Sequence, residues 1–256
     1  MEHCFLQRSM KWVTTTILVL VVTPVVDGAE RLQRFRNSNI GVRFAWSAHH
    51  ESGDFSEYFW RHADTACGWL VAVPDPTASG RGYVSESQIY CALGKGQVHR
   101  LYPTLNLERC IYGSYYSSFD VWLSAPPTAE RGWISLATYT NVKNWKDLFA
   151  VNLGTEAAQI ALVLFHVPKF GQSRFQRQAR IPFPMKQWVR VEVAVDANGV
   201  IHVFQDGVQV LRAQKDWGPA GPSICEAHWG LYAEGNTDFA HLLNDNILLR
   251  SSGYPQ

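Results

Sequence analysis

The stretch from Trp188 to Leu211 constrains the fold more than any other part of the chain. Val189, Val191, Val193 and Val195 alternate with Trp188, Arg190, Glu192 and Ala194. A repeat of two places alternate side chains on opposite faces of an extended strand, one on a core and one outward. Asn198-Gly199 then separates this run from Val200–Gln205, and Asp206-Gly207 separates that from Val208–Leu211. Both dipeptides tolerate the positive φ angles of tight hairpin turns. Residues 187–211 are therefore predicted to form a three-stranded antiparallel meander.

The same alternation recurs. Ser117, Phe119, Val121 and Leu123 interleave with Ser118, Asp120 and Trp122 in the run Tyr115–Leu123. Further runs are Tyr83–Ala92, Gln97–Tyr102, Trp133–Tyr139, Leu148–Leu153, Gln159–Val167, His228–Glu234 and Asn246–Leu249. About eleven short strands at this spacing predict an all-β antiparallel sandwich. Amphipathic helices between the strands, which an alternating α/β fold needs, are not found. Residues 29–80 read as strands and long loops, with a short helix expected around Phe55–His62. Phe170–Pro184, with Arg174, Arg177 and Arg180, reads as a basic surface loop.

Arg8 and Lys11 precede an apolar run from Trp12 to Val26, followed by Asp27-Gly28-Ala29. A basic start, a short apolar core and small residues before a cut describe a secretory signal peptide. Cleavage is expected between Gly28 and Ala29, leaving residues 29–256 as a single domain. The run is too short and too Thr-rich for a membrane span, so no membrane attachment is expected after cleavage. The remaining cysteines, Cys67, Cys91, Cys110 and Cys225, are an even number in an exported chain. They predict two disulfides, with three pairings open. No pair has the C-x2-C spacing of a zinc knuckle. The expected location is secreted, periplasmic or extracellular.

The 256 residues carry 23 basic and 22 acidic side chains. That balance gives no electrostatic basis for nucleic acid as a partner. Aromatics are abundant instead, with 10 Trp, 10 Tyr and 13 Phe. Such rings fill cores, and they also stack on the apolar faces of sugars. Tyr116, Asp120 and Trp122 alternate with core positions and are assigned to a sugar-binding face, with Trp133 and Tyr139 beside them; Trp145 and Trp188 are further candidates. Arg174, Arg177 and Arg180 would form a positive lip for an anionic glycan.

The phrase from Trp188 through Val210, with its Asn-Gly and Asp-Gly turns, resembles the late strands of concanavalin A-like lectin/glucanase jelly rolls. His228-Trp229-Gly230-Leu231-Tyr232-Ala233 resembles the closing strand of that fold. The resemblance spans about residues 83–249 and implies a two-sheet antiparallel jelly-roll sandwich. In jelly-roll polysaccharide lyases the closing strand carries an aromatic, Gly, an apolar residue and a catalytic Tyr, which falls here on Tyr232. The Arg-rich strand of the alginate-lyase branch would match Tyr83–Gln88, which keeps Ser85-Glu86 and lacks both arginines. Ser135–Tyr139 stands where that branch has Gln-[Ile/Val]-His. The E-x-D-x-x-E spacing of the glucanase branch is absent, which argues against a retaining glucanase.

A β-elimination lyase needs a group to neutralise the uronate carboxylate, a base for the C5 proton and an acid for the leaving oxygen. Arg100 and Tyr102 share one face of a predicted strand and, with Tyr232, are the candidates for carboxylate binding and proton donation. His99 and His166 are the candidate bases. His202 reads as a packed histidine. His49 and His50, being adjacent in sequence, would point apart and share no metal. No cofactor is required; Asn244-Asp245-Asn246 is the best local cluster for a structural calcium ion. Three functions follow in order: a secreted lectin-like protein that stacks polysaccharide on aromatics, a polysaccharide lyase acting on a uronate-containing glycan, and an extracellular adhesion or structural domain.

Overall fold

The computed structural model describes residues 42–63, 66–125, 128–129, 133–154, 159–168 and 174–252. The expected signal peptide and Arg31, Arg34 and Arg36 lie outside these residues. In chain order the strands are β1 (Phe44–Ala48), β2 (Trp60–Ala63), β3 (Gly68–Pro74), β4 (Tyr83–Ile89), β5 (Val98–Tyr112), β6 (Tyr115–Leu123), β7 (Thr128–Ala129) and β8 (Ile134–Thr140). There follow β9 (Leu148–Gly154), β10 (Ala161–Val167), β11 (Phe175–Pro182), β12 (Trp188–Val195), β13 (Val200–Gln205), β14 (Val208–Gln214), β15 (Ser223–Glu234) and β16 (Thr237–Ser251). Among the described residues one 3-10 turn, Lys143–Trp145, interrupts them.

Two antiparallel sheets pack face to face as a jelly-roll sandwich. The first has the order β14-β13-β12-β6-β16-β4-β3, with β1 and β7 also paired to β16. The second has the order β11-β10-β9-β8-β15-β5-β2. Between them lies one continuous apolar core. Phe119, Val121, Val191, Val193 and Val203 come from the first sheet, and Leu101, Leu105, Ala227, Trp229 and Leu231 from the second. Trp229 is fully buried, stacked on Trp46 with ring centroids 5.3 Å apart. The alternation read in β6 and β12 is this burial pattern, because odd-numbered residues face the opposite sheet.

The meander forms as expected. β12 pairs with β13 and β13 with β14, and the second turn places Asp206 at φ 50° and Gly207 at φ 82°. Both values suit a two-residue hairpin whose twist matches its strands.

Two local expectations are overturned. Residues 51–59 form bends around Asp54, whose carboxylate accepts from Ser52 and Ser56. The next four residues are strand β2, so no helix forms between Phe55 and His62. The basic segment expected as a surface loop contains β11, the edge strand beside β10. Its arginines are compatible with strand because one margin of β11 meets solvent, and edge charges discourage pairing with another chain. Ala179, by contrast, joins the core.

The disulfides are Cys67–Cys91 and Cys110–Cys225. The first closes the β3–β4 edge hairpin. The second ties β5 to β15, next to the register shift between Ile224 and Glu226.

Candidate functional site

β15 is central to the second sheet, with β5 on one side and β8 on the other. Ala227, Trp229, Leu231 and Ala233 enter the core. The alternate residues Glu226, His228 and Tyr232 therefore share the outer face. In register, Tyr232 lies opposite Arg100 and Ser135, His228 opposite Thr104 and Thr138, and Glu226 opposite Asn106 and Thr140. On β5, Arg100, Tyr102 and Thr104 share this face because Leu101 and Leu105 enter the core.

The rings on this face form a continuous cluster. Tyr102 stacks on His228 with centroids 3.8 Å apart and an interplanar angle of 14°. Tyr232 stands edge-on to both, 5.7 Å from each. Trp133 packs 4.6 Å from Tyr232, and Trp145 packs 5.2 Å from His228. On the other side His62 lies 5.1 Å from Tyr102 and stacks on Trp60 at 5.6 Å. Trp60 is 59% exposed, so the row runs from a solvent-facing ring to a buried imidazole.

Gly230 makes this arrangement possible. Its φ is +132°, and a β-carbon there would stand 2.7 Å from the Leu101 carbonyl oxygen and 3.0 Å from the Tyr102 β-carbon. Any side chain would push β5 away and displace Tyr102. The strand is also irregular against β8 between Trp229 and Tyr232, which re-aims the tyrosine.

Burial governs the protonation of these groups. His228 is 1% exposed, and desolvation followed by the nearby His62 holds its pKa well below the ordinary imidazole value. It is neutral at physiological pH, and its Nδ1 lacks a hydrogen-bond partner. Tyr232 is half-buried; desolvation raises its pKa and the charge of Arg100 partly offsets that. It is therefore a protonated phenol. The site combines a neutral proton acceptor, a proton donor and a guanidinium on one face.

Sequence reasoning named Arg100, Tyr102 and Tyr232, and the fold brings them together. It missed His228, Trp60 and His62. The signal for His228 was present in the motif that carries Tyr232, since the two differ by an even number of residues on one strand. His99 and His166 lie elsewhere. His99 shares the core-facing parity of Leu101, is fully buried, and its Nε2 lies 3.1 Å from the Thr237 carbonyl oxygen. His166 shares the core-facing parity of Leu164. It sits 3.3 Å from Asp147, which also binds the buried Lys215 at 3.1 Å. Neither histidine reaches the Tyr102–Tyr232 face.

The aromatic face expected on β6 belongs to the other sheet. Tyr116 is 5% exposed, packs with Ala194 and Phe204, and donates to Glu192 Oε1 at 2.6 Å. Asp120 is buried as the acceptor of Arg190 Nε and Arg81 Nη1, each at 2.7 Å, and of Asn246 Nδ2 at 3.0 Å. Burial opposes ionisation of Asp120, but the bonds from Arg190, Asn246 and Arg81 prevail and lower its pKa. Trp122 is half-buried, edge-on to His241 at 6.3 Å. Trp188 lies under Arg81 at 4.1 Å and donates to Thr77 at 2.9 Å. Tyr139 is a core residue, 1% exposed, whose hydroxyl donates to Ser117 between the sheets. Of the five expected sugar-binding residues, Trp133 alone lies on the face that holds Tyr232. The Tyr83–Gln88 segment is β4, in the sheet opposite Tyr232; β5 is the strand beside β15.

The calcium cluster does not fit a cation. Asp245 accepts from Arg81 at 3.0 Å, so a guanidinium already bridges Asp120 and Asp245. Asn246 is engaged by Asp120 and lies 3.2 Å from His49 Nδ1. Asn244 is 1% exposed. Among the described residues no group of three or more His, Cys, Asp or Glu side chains could hold a metal.

No protein-family profile and no curated protein sequence matches this chain. Solved structures do resemble it. An endo-beta-1,4-glucuronan lyase from the fungus Trichoderma reesei superposes with a TM-score of 0.57 at 13% identity, covering 82% of this chain and 95% of that one. The cellulose induced protein Cip1 superposes at 0.57 and 12% identity, covering 79% and 95%. The globular domain of T. cruzi calreticulin superposes at 0.50 and 10% identity, covering 81% and 87%. These likenesses show the fold alone, a two-sheet antiparallel jelly-roll sandwich.

Proposed function

We propose that this protein is a secreted polysaccharide lyase that cleaves a uronate-containing glycan by β-elimination on the outer face of the second sheet. The observation that carries this reading is the convergence of Tyr102, His228 and Tyr232, with Arg100 directly across from Tyr232. Arg100 pairs with the uronate carboxylate and stabilises the charge that develops on it. His228 takes the C5 proton, the C5–H electrons form the C4–C5 double bond, and the bond from C4 to the leaving oxygen breaks. Tyr232 delivers a proton to that oxygen. Tyr102 fixes the imidazole plane by stacking. Positioned proton transfer of this kind contributes typically about 10²–10⁴-fold.

The glucuronan lyase of the same fold supports the substrate class. The two disulfides suit an oxidising compartment, and among the described residues no helix is long and apolar enough to cross a membrane. Residues 29–256 then constitute one mature domain. A non-catalytic glycan-binding role is the second reading, favoured by the exposure of Trp60 beside Phe59, which is 65% exposed. The deciding experiment is incubation with a panel of uronate polysaccharides, following the ultraviolet absorbance of the conjugated product. Absorbance should rise with the native protein, and Tyr232→Phe should lower the rate about 100-fold or more with little change in thermal stability. Binding without a rise selects the second reading.

A further inference from the structure

We propose that Trp60 holds a sugar ring two positions away from the reacting uronate, so that the glycan crosses the strands of the second sheet and ends its contact at the β2 edge. The ligand at Trp60 is a pyranose of the same chain, held by stacking and not by charge. Chains long enough to reach Trp60 are therefore preferred over shorter ones. The proposal rests on the reading of this face as one that handles a glycan, and deepens it.

The argument begins with exposure. Among the described residues, Phe59 and Trp60 are the most exposed of the large apolar side chains. β2 is the edge strand of the second sheet, beside β5. Trp60 stands opposite Thr104, and the Phe59 amide donates to the Thr104 carbonyl oxygen at 3.1 Å, so the backbone under the indole is fixed. Thr104 is in turn the register partner of His228 on β15. Trp60, Thr104 and His228 thus lie in one row across the strands. Two strand spacings separate its ends, about 10 Å, a length that two pyranose units of an extended chain cover. His62, two residues along β2 on the same face, stands opposite Tyr102. Its imidazole lies 5.6 Å from the indole with only 12° between the planes, and 5.1 Å from the Tyr102 ring. The orientation of Trp60 is therefore set by a stack that continues into the site.

An indole left in water forgoes the stabilisation that burying it would bring. Single apolar residues scattered over a surface need no explanation, but an exposed ring that continues a row of rings into a polar site marks a place for a ligand. The C–H-bearing face of a pyranose suits such a ring, because apolar surface is covered on both partners while the hydroxyls and carboxylate of the sugar stay in water. The indole is already oriented by His62, so little side-chain freedom is lost on binding. Its place on the sheet edge leaves the chain beyond it free to pass into solvent. Contact this far from the reacting bonds adds binding energy only for substrates that span both ends of the row, and so raises their kcat/KM.

The test uses size-fractionated oligomers of glucuronate, mannuronate and galacturonate, assayed by product absorbance with the full chain, Trp60→Ala and Trp60→Phe. For the native protein, kcat/KM should rise in a step of about tenfold at the length that first reaches Trp60. Trp60→Ala should remove the step, and Trp60→Phe, which keeps an aromatic face, should keep most of it. A merely structural role would lower the rate on every length alike and leave the step in place. A native protein without the step, or a step that survives in Trp60→Ala, overturns the proposal. Should Trp60→Ala not fold, Trp60→Leu carries the same comparison. If none of the oligomers is cleaved, the lyase reading fails by itself, and the step is then read from calorimetric affinities of the same oligomers. Binding without a step at Trp60, or no binding, overturns the proposal as well.

Discussion

At the scale of the residue, the site depends on what burial does to two ionisable groups. His228 is desolvated, so its charged form is disfavoured and its pKa falls below the ordinary 6.5. Tyr232 is desolvated too, but there the charged form is the phenolate, so its pKa rises above 10.0. A base must be unprotonated and an acid protonated. Activity should therefore be lost on the acid side only as the pH falls through the depressed His228 pKa, below 6.5. It should be lost on the alkaline side only above the raised Tyr232 value. A pH–rate profile that is flat from neutrality to mildly alkaline pH is expected; an acid limb centred above 6.5 would remove His228 as the base. The same residues show why site prediction from sequence was partial. Tyr232 carries a motif and Arg100 with Tyr102 carry a strand parity, but His99 and His166 were chosen by residue type. Their parity with Leu101 and Leu164 turns both toward the core.

Among the elements, β15 organises the site because its two faces do different work. One face supplies Trp229 to the core, and the other supplies Glu226, His228 and Tyr232. Gly230 is the point where β5 and β15 approach too closely for a side chain. Gly230→Ala combines an unfavourable positive φ with a clash against the Leu101 carbonyl oxygen. A loss of about 2–4 kcal/mol in stability, measured by denaturant unfolding, and a large drop in activity are expected. A neutral outcome would mean that β5 is free to move and that Tyr102 is not held by this contact. β6 teaches the complementary lesson. Its alternation was read correctly, and its outer face is not solvent-facing as an alternating strand suggests. Arg81, Arg190 and Asn246 converge on Asp120 there, and the rings of Tyr116 and Trp188 are taken up by Glu192, Thr77 and Arg81. Strand parity says which side a residue faces; it does not say what else in the chain will cover that side.

Across the whole molecule, the two disulfides divide the work unequally. Cys110–Cys225 closes a loop of 115 residues and Cys67–Cys91 one of 24. In the chain-entropy account these are worth about 5 and about 3 kcal/mol respectively. Replacing Cys110 and Cys225 by Ser should lower the thermal midpoint more than replacing Cys67 and Cys91. It should also impair activity, because the bond pins together, at their other end, the two strands β5 and β15 that carry the site. Equal effects would show that both act only locally. The sandwich, the meander with its two turns and the two disulfides among Cys67, Cys91, Cys110 and Cys225 were legible from local periodicity and composition, because strand alternation and positive-φ turns are properties of short segments. β1, β2, β3 and β11 were not legible as bounded strands, since they are short or lie at sheet edges where charge and loop-like composition are tolerated. The Cys110–Cys225 bond and the meeting of Arg100 and Tyr102 with His228 and Tyr232 join residues more than a hundred positions apart, and the sheet to which each alternating face belongs is set by pairings equally remote from local pattern. Only the tertiary structure decided them, because the strand order that brings β5 beside β15 depends on how the two sheets bury their apolar faces together and leaves no trace in any one segment.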